Sequence, residues 1–238
     1  MPDGSRPHSE FPTTRWSIVL QSGDRDSLEW LCERYWQPLY LYTSRRCGNR
    51  ELARDLTQEF IAVVLERHWL DRADPERGRF RGFLLTALKR FLADRYDREQ
   101  TLKRGGGRVD VELADESEGH YQRAFADEIT PELLYERQWA ITLLSRVIDS
   151  LRAHFNRSGG AAQFEVLQPF LTEGEQDYRT AATALGMNEG AVRVAVHRLR
   201  KQFRQRFLEA ISETVATAED AEQEIRYLLN VLSQTPIK

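Results

Sequence analysis

Apolar residues along this chain recur at steps of three and four, and no run of β-branched residues alternates with polar ones. The pattern therefore predicts helices and no strand. Leu28, Leu31, Tyr35, Leu39 and Tyr42 share one face of a first helix, which Pro38 is expected to kink or break and Gly48-Asn49 to end. A second helix is expected over about 50–68, presenting Leu52, Leu56, Phe60, Val63 and Val64. Asp74-Pro75-Glu76-Arg77-Gly78 is turn chemistry. A third helix follows over about 80–98, with Phe83, Leu84, Leu88, Phe91 and Leu92 on its apolar side. These helices suffice for one small bundle core.

The pattern then lapses. Gly105-Gly106-Gly107 and the acidic stretch after it carry few large apolar residues, so 103–130 reads as a flexible acidic linker. Thr130 and Pro131 suit the cap and first turn of a new helix, with Leu134, Ile141, Leu144, Ile148 and Leu151 apolar. After a turn at 156–160, Phe164, Val166, Leu167, Phe170 and Leu171 begin another helix, in which Pro169 fits badly. Ala221 to Leu232 predicts an acidic amphipathic helix through Ile225, Leu228, Leu229 and Leu232, expected to cap the second domain's core, with a regulatory contact as the alternative. The architecture expected is all-α: a helical domain over 1–102, the linker over 103–130, a second helical domain over 131–211 and an extension over 212–238.

Charge sharpens this division. The 238 residues carry a net charge of only -3, but 72–108 hold 11 basic and 5 acidic residues and 176–206 hold 7 basic and 2 acidic. Between them, 109–136 hold 9 acidic residues and 1 basic. Two cationic blocks separated by an anionic one suit two surfaces for a polyanion.

The rest of the composition mainly excludes. A chain 41% hydrophobic and 30% charged is neither collagen-like nor wholly disordered. No apolar run is long enough for membrane insertion, and Met1 to Pro12 has no apolar core for a secretory leader. Cys32 and Cys47 cannot build a disulfide framework, so a reducing cytoplasm is expected. The histidines at 8, 68, 120, 154 and 197 are never paired at ligand spacing, and there is no phosphate loop or nucleophile elbow. No catalytic residue, metal or cofactor is expected, and the chain does not read as an enzyme.

The most specific local signal lies at 179–193. Ala181, Ala182 and Leu185 mark a short helix with small residues at a close crossing, Gly186 a turn, and Asn188 the cap of a longer helix. Val192, Val196, Leu199, Phe203 and Phe207 give that helix a buried stripe, opposite Glu189, Arg193, His197, Arg200 and Arg204. This is a helix-turn-helix whose second helix suits the major groove, its first residues near base edges and the later cations near phosphates. A helical hairpin with a solvated basic face is the plain alternative.

Here the chain resembles a known family. Tyr35-Trp-Gln-Pro38-Leu-Tyr40, Asp55-Leu-Thr-Gln58-Glu59-Phe60 and Asp74-Pro-Glu-Arg-Gly78-Arg-Phe80-Arg, followed by the helix-turn-helix, look like a bacterial RNA polymerase sigma factor of the extracytoplasmic-function (ECF) type. The resemblance implies a transcription initiation factor that binds core RNA polymerase and directs promoter recognition and DNA melting. Its first domain would be sigma region 2 and its second sigma region 4. Core RNA polymerase and promoter DNA are the implied partners, and an anti-sigma factor or other regulator is compatible with them.

Site by site, the resemblance assigns polymerase binding to Glu51, Asp55, Gln58 and Glu59, the first, second and last of which share one helical stripe. It assigns the minus-ten element to Arg77, Arg79, Arg81, Lys89, Arg90 and Arg95. The minus-thirty-five element falls to Asn188, Glu189, Arg193, Val194, His197, Arg198 and Lys201, although Val194 and Ala195 stand where many relatives carry polar side chains. Arg200, Arg204 and Arg206 are expected to meet phosphate or solvent, and Thr57 is a place where phosphorylation could add charge. The rivals are a conventional helix-turn-helix regulator, which leaves 50–98 without a role, and a helical adaptor protein.

Overall fold

The structure, a computed structural model, describes residues 25–66, 79–105, 129–172, 177–215 and 217–233. Among them there are nine helices and no strand: α1 (Arg25–Cys47), α2 (Arg50–Glu66), α3 (Phe80–Gly105), α4 (Pro131–Arg157), α5 (Ala161–Leu167), α6 (Pro169–Thr172), α7 (Tyr178–Leu185), α8 (Glu189–Ser212) and α9 (Ala218–Ser233). The all-α expectation holds. Packing divides the chain into a first unit, Met1–Ala140 with Thr214–Lys238, and a second, Ile141–Glu213. The expected domain boundary at Pro131 thus differs from the packing boundary, which falls inside α4. Most of the stretch read as a linker, 106–128, lies outside the described residues, as does Arg77.

In the first unit, α1 and α2 form an antiparallel-type pair joined at Gly48-Asn49, whose Asn49 Oδ1 accepts the amide N–H groups of Glu51 and Leu52 at 2.9 and 3.1 Å. Tyr35 is the hub of an aromatic cluster, with ring centroids 5.3 Å from Phe80, 5.9 Å from Trp30 and 6.5 Å from Trp139. α1 runs through Pro38 without the expected break. Losing one backbone bond costs roughly 3 kcal/mol in a helix interior, and the fully buried Tyr35 and Leu39 on either side offset it.

Three apolar stripes are rotated from their expected positions. On α2 the buried residues are Ala53, Thr57, Phe60, Ile61 and Val64, while Leu52, Leu56 and Val63 flank them. Thr57, named above as a place for added charge, is fully buried here, and its hydroxyl donates to the Ala53 carbonyl at 2.6 Å. On α4 the buried line steps by four through Tyr135, Trp139, Leu143, Val147 and Leu151, leaving Ile141 39% exposed. On α9 it runs through Ala221, Glu224, Leu228 and Val231, and Leu229 points outward. α9 belongs to the first unit, so the extension does not cap the second domain's core as expected.

The second unit closes around Leu151, Phe164, Leu167, Phe170, Ala181, Ala182, Val192, Val196 and Leu199. Pro169 resolves its awkward position by opening α6 instead of interrupting α5.

Candidate nucleic-acid interface

The second unit presents α8 through a tightly specified turn. Asp177 caps α7: its carboxylate accepts the Arg179 amide N–H at 2.8 Å and the Thr180 hydroxyl at 2.6 Å. Those bonds, the Thr180 hydroxyl first, hold Asp177 below its ordinary carboxylate range. Gly186 ends α7 in the left-handed region, φ 63 and ψ 30, and the Met187 amide N–H closes back on the Ala182 carbonyl at 3.0 Å. Asn188 then caps α8, its Oδ1 accepting the Ala191 amide N–H at 2.8 Å.

Val192, Val196, Leu199, Phe207 and Ile211 bury the inner face of α8, with Phe203 packed at its edge. The outer face exposes Glu189, Arg193, Val194, His197, Arg198 and Lys201, and Val194 is 50% exposed. Arg193 lies over the Tyr178 ring, 4.3 Å from its centroid, and 3.8 Å from the Glu189 carboxylate. Both contacts hold the guanidinium in place at the start of the helix. Two basic residues serve the fold instead of a ligand. Arg200 donates twice to the Phe170 carbonyl, at 3.0 and 3.2 Å, and Arg206 donates to the Ser150 carbonyl and hydroxyl at 3.1 and 2.7 Å. Arg198, Lys201 and Arg204 form no ion pair among the described residues and project a positive field from an otherwise satisfied helix.

The first unit holds the other expected blocks. Glu51, Asp55 and Gln58 are exposed on α2, and Glu59 is half-exposed and paired with Arg95. The cations expected to face DNA are mostly engaged. Arg79 Nε lies 2.7 Å from Glu224, and Arg81 pairs with both Glu136 and Glu224. Lys89 lies 2.7 Å from Glu132. Arg90 is exposed without such a partner among the described residues. Arg81 is only 3% exposed, sits over Trp139 at 4.9 Å, and its carbonyl accepts the Tyr135 hydroxyl at 3.0 Å. Burial pushes Arg79 down from its ordinary value, with the neighbouring Arg81 charge adding to the effect. Burial pushes Glu132 up, but the Lys89 hydrogen bond, a backbone hydrogen bond and the Lys89 and Arg46 charges together hold it below its ordinary value.

Sequence reasoning missed the carboxylates Glu132, Glu136 and Glu224. The 221–224–228–231 spacing was the available signal for Glu224, since it shares a face with Ala221, Leu228 and Val231.

The family model described as "ECF sigma factor" matches residues 12–209. The chain belongs to the ECF sigma factor family. One relative of this ECF sigma factor is the "ECF RNA polymerase sigma factor SigE" of Mycolicibacterium smegmatis. It is 27% identical over 213 residues, covering 88% of this chain and 74% of the relative. No solved structure matches the chain. The family match takes in the α2 stripe, the α3 cations and the helix-turn-helix, and it ends before α9. In this family member, no group of three or more His, Cys, Asp or Glu among the described residues could hold a metal ion, and no helix is long and apolar enough to cross a membrane.

Proposed function

We propose that this ECF sigma factor binds core RNA polymerase through the α2 stripe of Glu51, Asp55, Gln58 and Glu59, and reads two promoter elements with its two cationic modules. α8 lies in the major groove of the minus-thirty-five element, with Asn188, Glu189, Arg193 and Val194 near base edges and His197, Arg198 and Lys201 toward the backbone. Val194 suits a thymine methyl group, which an apolar side chain can recognise. The block Arg77, Arg79, Arg81, Lys89, Arg90 and Arg95 serves the minus-ten element, where opening the duplex needs positive charge along a single strand. The chain performs no bond chemistry. Its specificity comes from these contacts, and its partners are core polymerase and promoter DNA in the cytoplasm.

One observation carries the reading: on α8, Arg200 and Arg206 are bound to the chain's own carbonyls while Arg198 and Lys201 are not. The helix is held by one set of cations and keeps another for a ligand. The test is promoter binding by the reconstituted holoenzyme across a salt series. Arg198→Ala and Lys201→Ala should each reduce the log–log salt slope by about 1, as one phosphate contact is lost. An unchanged slope in both variants contradicts the placement of α8.

A further inference from the structure

We propose that α9 is an acidic lock on the first unit: Glu224 occupies the guanidinium groups of Arg79 and Arg81, and α9 withdraws before those cations meet nucleic-acid phosphate. The inference rests on the reading above that the α3 block faces DNA.

The geometry of one side chain carries it. Glu224 is fully buried on the same stripe as Ala221, Leu228 and Val231. A carboxylate is driven out of such a position unless cations receive it. Neither Glu224 oxygen has a neutral hydrogen-bond donor among the described residues, so Arg79 and Arg81 are its compensation. Tyr227, three residues on, lies 5.1 Å from each of the two guanidinium carbons. Glu224 therefore takes the N–H edges of both cations while Tyr227 covers their flat faces. Those N–H edges are what a phosphate would use, so α9 and a nucleic-acid backbone compete for the same donors.

The remaining contacts agree. Glu136 shares Arg81, Glu132 takes Lys89 and Glu59 takes Arg95, so the chain's own carboxylates answer most of the cationic block. Glu224 is the member of this set supplied by a short helix beyond the span shared with the family, which ends at residue 209. α9 is joined to α8 by only the residues between Ser212 and Ala218 and is held on the first unit by few large side chains.

The test uses the full chain as wild type, Glu224→Gln and Leu228→Asp. The first variant removes the charge, and the second undocks the helix. The probe is a fluorescent single-stranded oligonucleotide titrated across a salt series. Both variants should bind it several-fold more tightly than wild type, with a log–log salt slope steeper by about 1.4 as two more phosphates of a single strand are contacted. Phenylglyoxal should also modify Arg79 and Arg81 faster in both variants. Equal affinity, slope and modification overturn the lock. If the variants lose their fold, wild-type hydrogen exchange decides: saturating oligonucleotide must speed exchange across 218–233, and unchanged protection overturns the lock. No readout contains polymerase. Failure of promoter-directed transcription would therefore remove the sigma-factor role and leave the lock standing, whereas normal transcription with unaltered variants removes the lock alone.

Discussion

Gly186 shows how much a single backbone angle can decide. Its φ of 63 lets α7 stop and α8 start in a different direction. No atom lies within 4 Å of where a Cβ would sit, so the cost of a side chain there is conformational, not steric. Gly186→Ala should lower the stability of the second unit by about 1 kcal/mol, read as faster hydrogen exchange across α7 and α8. Arg200 and Arg198 make a matched contrast two residues apart. Arg200→Ala removes two hydrogen bonds to the Phe170 carbonyl and should cost about 1.5 kcal/mol in urea denaturation. Arg198→Ala should change stability by less than about 0.5 kcal/mol while weakening DNA binding. The positions of Gly186 and Asn188 and the exposed face of α8 were all readable from the sequence, because turn and cap chemistry are local. The division of labour between Arg198 and Arg200 was not, because it depends on a carbonyl 30 residues away.

The helices themselves were predicted more reliably than the faces they bury. α2 and α9 were rotated because Thr57 and Glu224 hold core positions that a purely apolar pattern passes over. Each is admitted by a partner: the Ala53 carbonyl for Thr57, two guanidiniums for Glu224. The α4 stripe was misplaced because Tyr135 and Trp139, amphipathic by chemistry, anchor it. With its inner face full, α2 leaves Glu51 and Asp55 exposed. Glu51→Lys with Asp55→Lys should abolish co-elution with core polymerase while shifting thermal unfolding by only a degree or two, since exposed charges contribute little to stability. Glu59 belongs in a separate variant, because Lys there would face Arg95. Between α3 and α4, the Lys89–Glu132 pair predicts a pH signature. Glu132 titrates below its ordinary value of 4.5 in the folded chain. Its contribution is therefore present above that value and is lost as pH falls through the lower folded one. The stability advantage of wild type over Glu132→Gln should be largest near about pH 6 and shrink below about pH 4 in denaturant titrations.

Taken together, the 238 residues carry almost no net charge but sort it into blocks with different fates. In the second unit Arg198, Lys201 and Arg204, exposed on α8, form no ion pair among the described residues. In the first unit Glu59, Glu132, Glu136 and Glu224 answer Arg95, Lys89, Arg81 and Arg79. The charge blocks and the family were visible in the sequence, but the internal pairing was not, since it joins residues such as Arg81 and Glu136 that are 55 positions apart. A promoter-specificity subunit that combines these modules has a plain biochemical consequence. Run-off transcription with purified core polymerase, on a pool of promoter fragments with and without the chain, should yield discrete transcripts only when the chain is present, and Arg198→Ala should weaken them. Identical transcripts in its presence and absence, with no chain retained on the polymerase, would contradict the account.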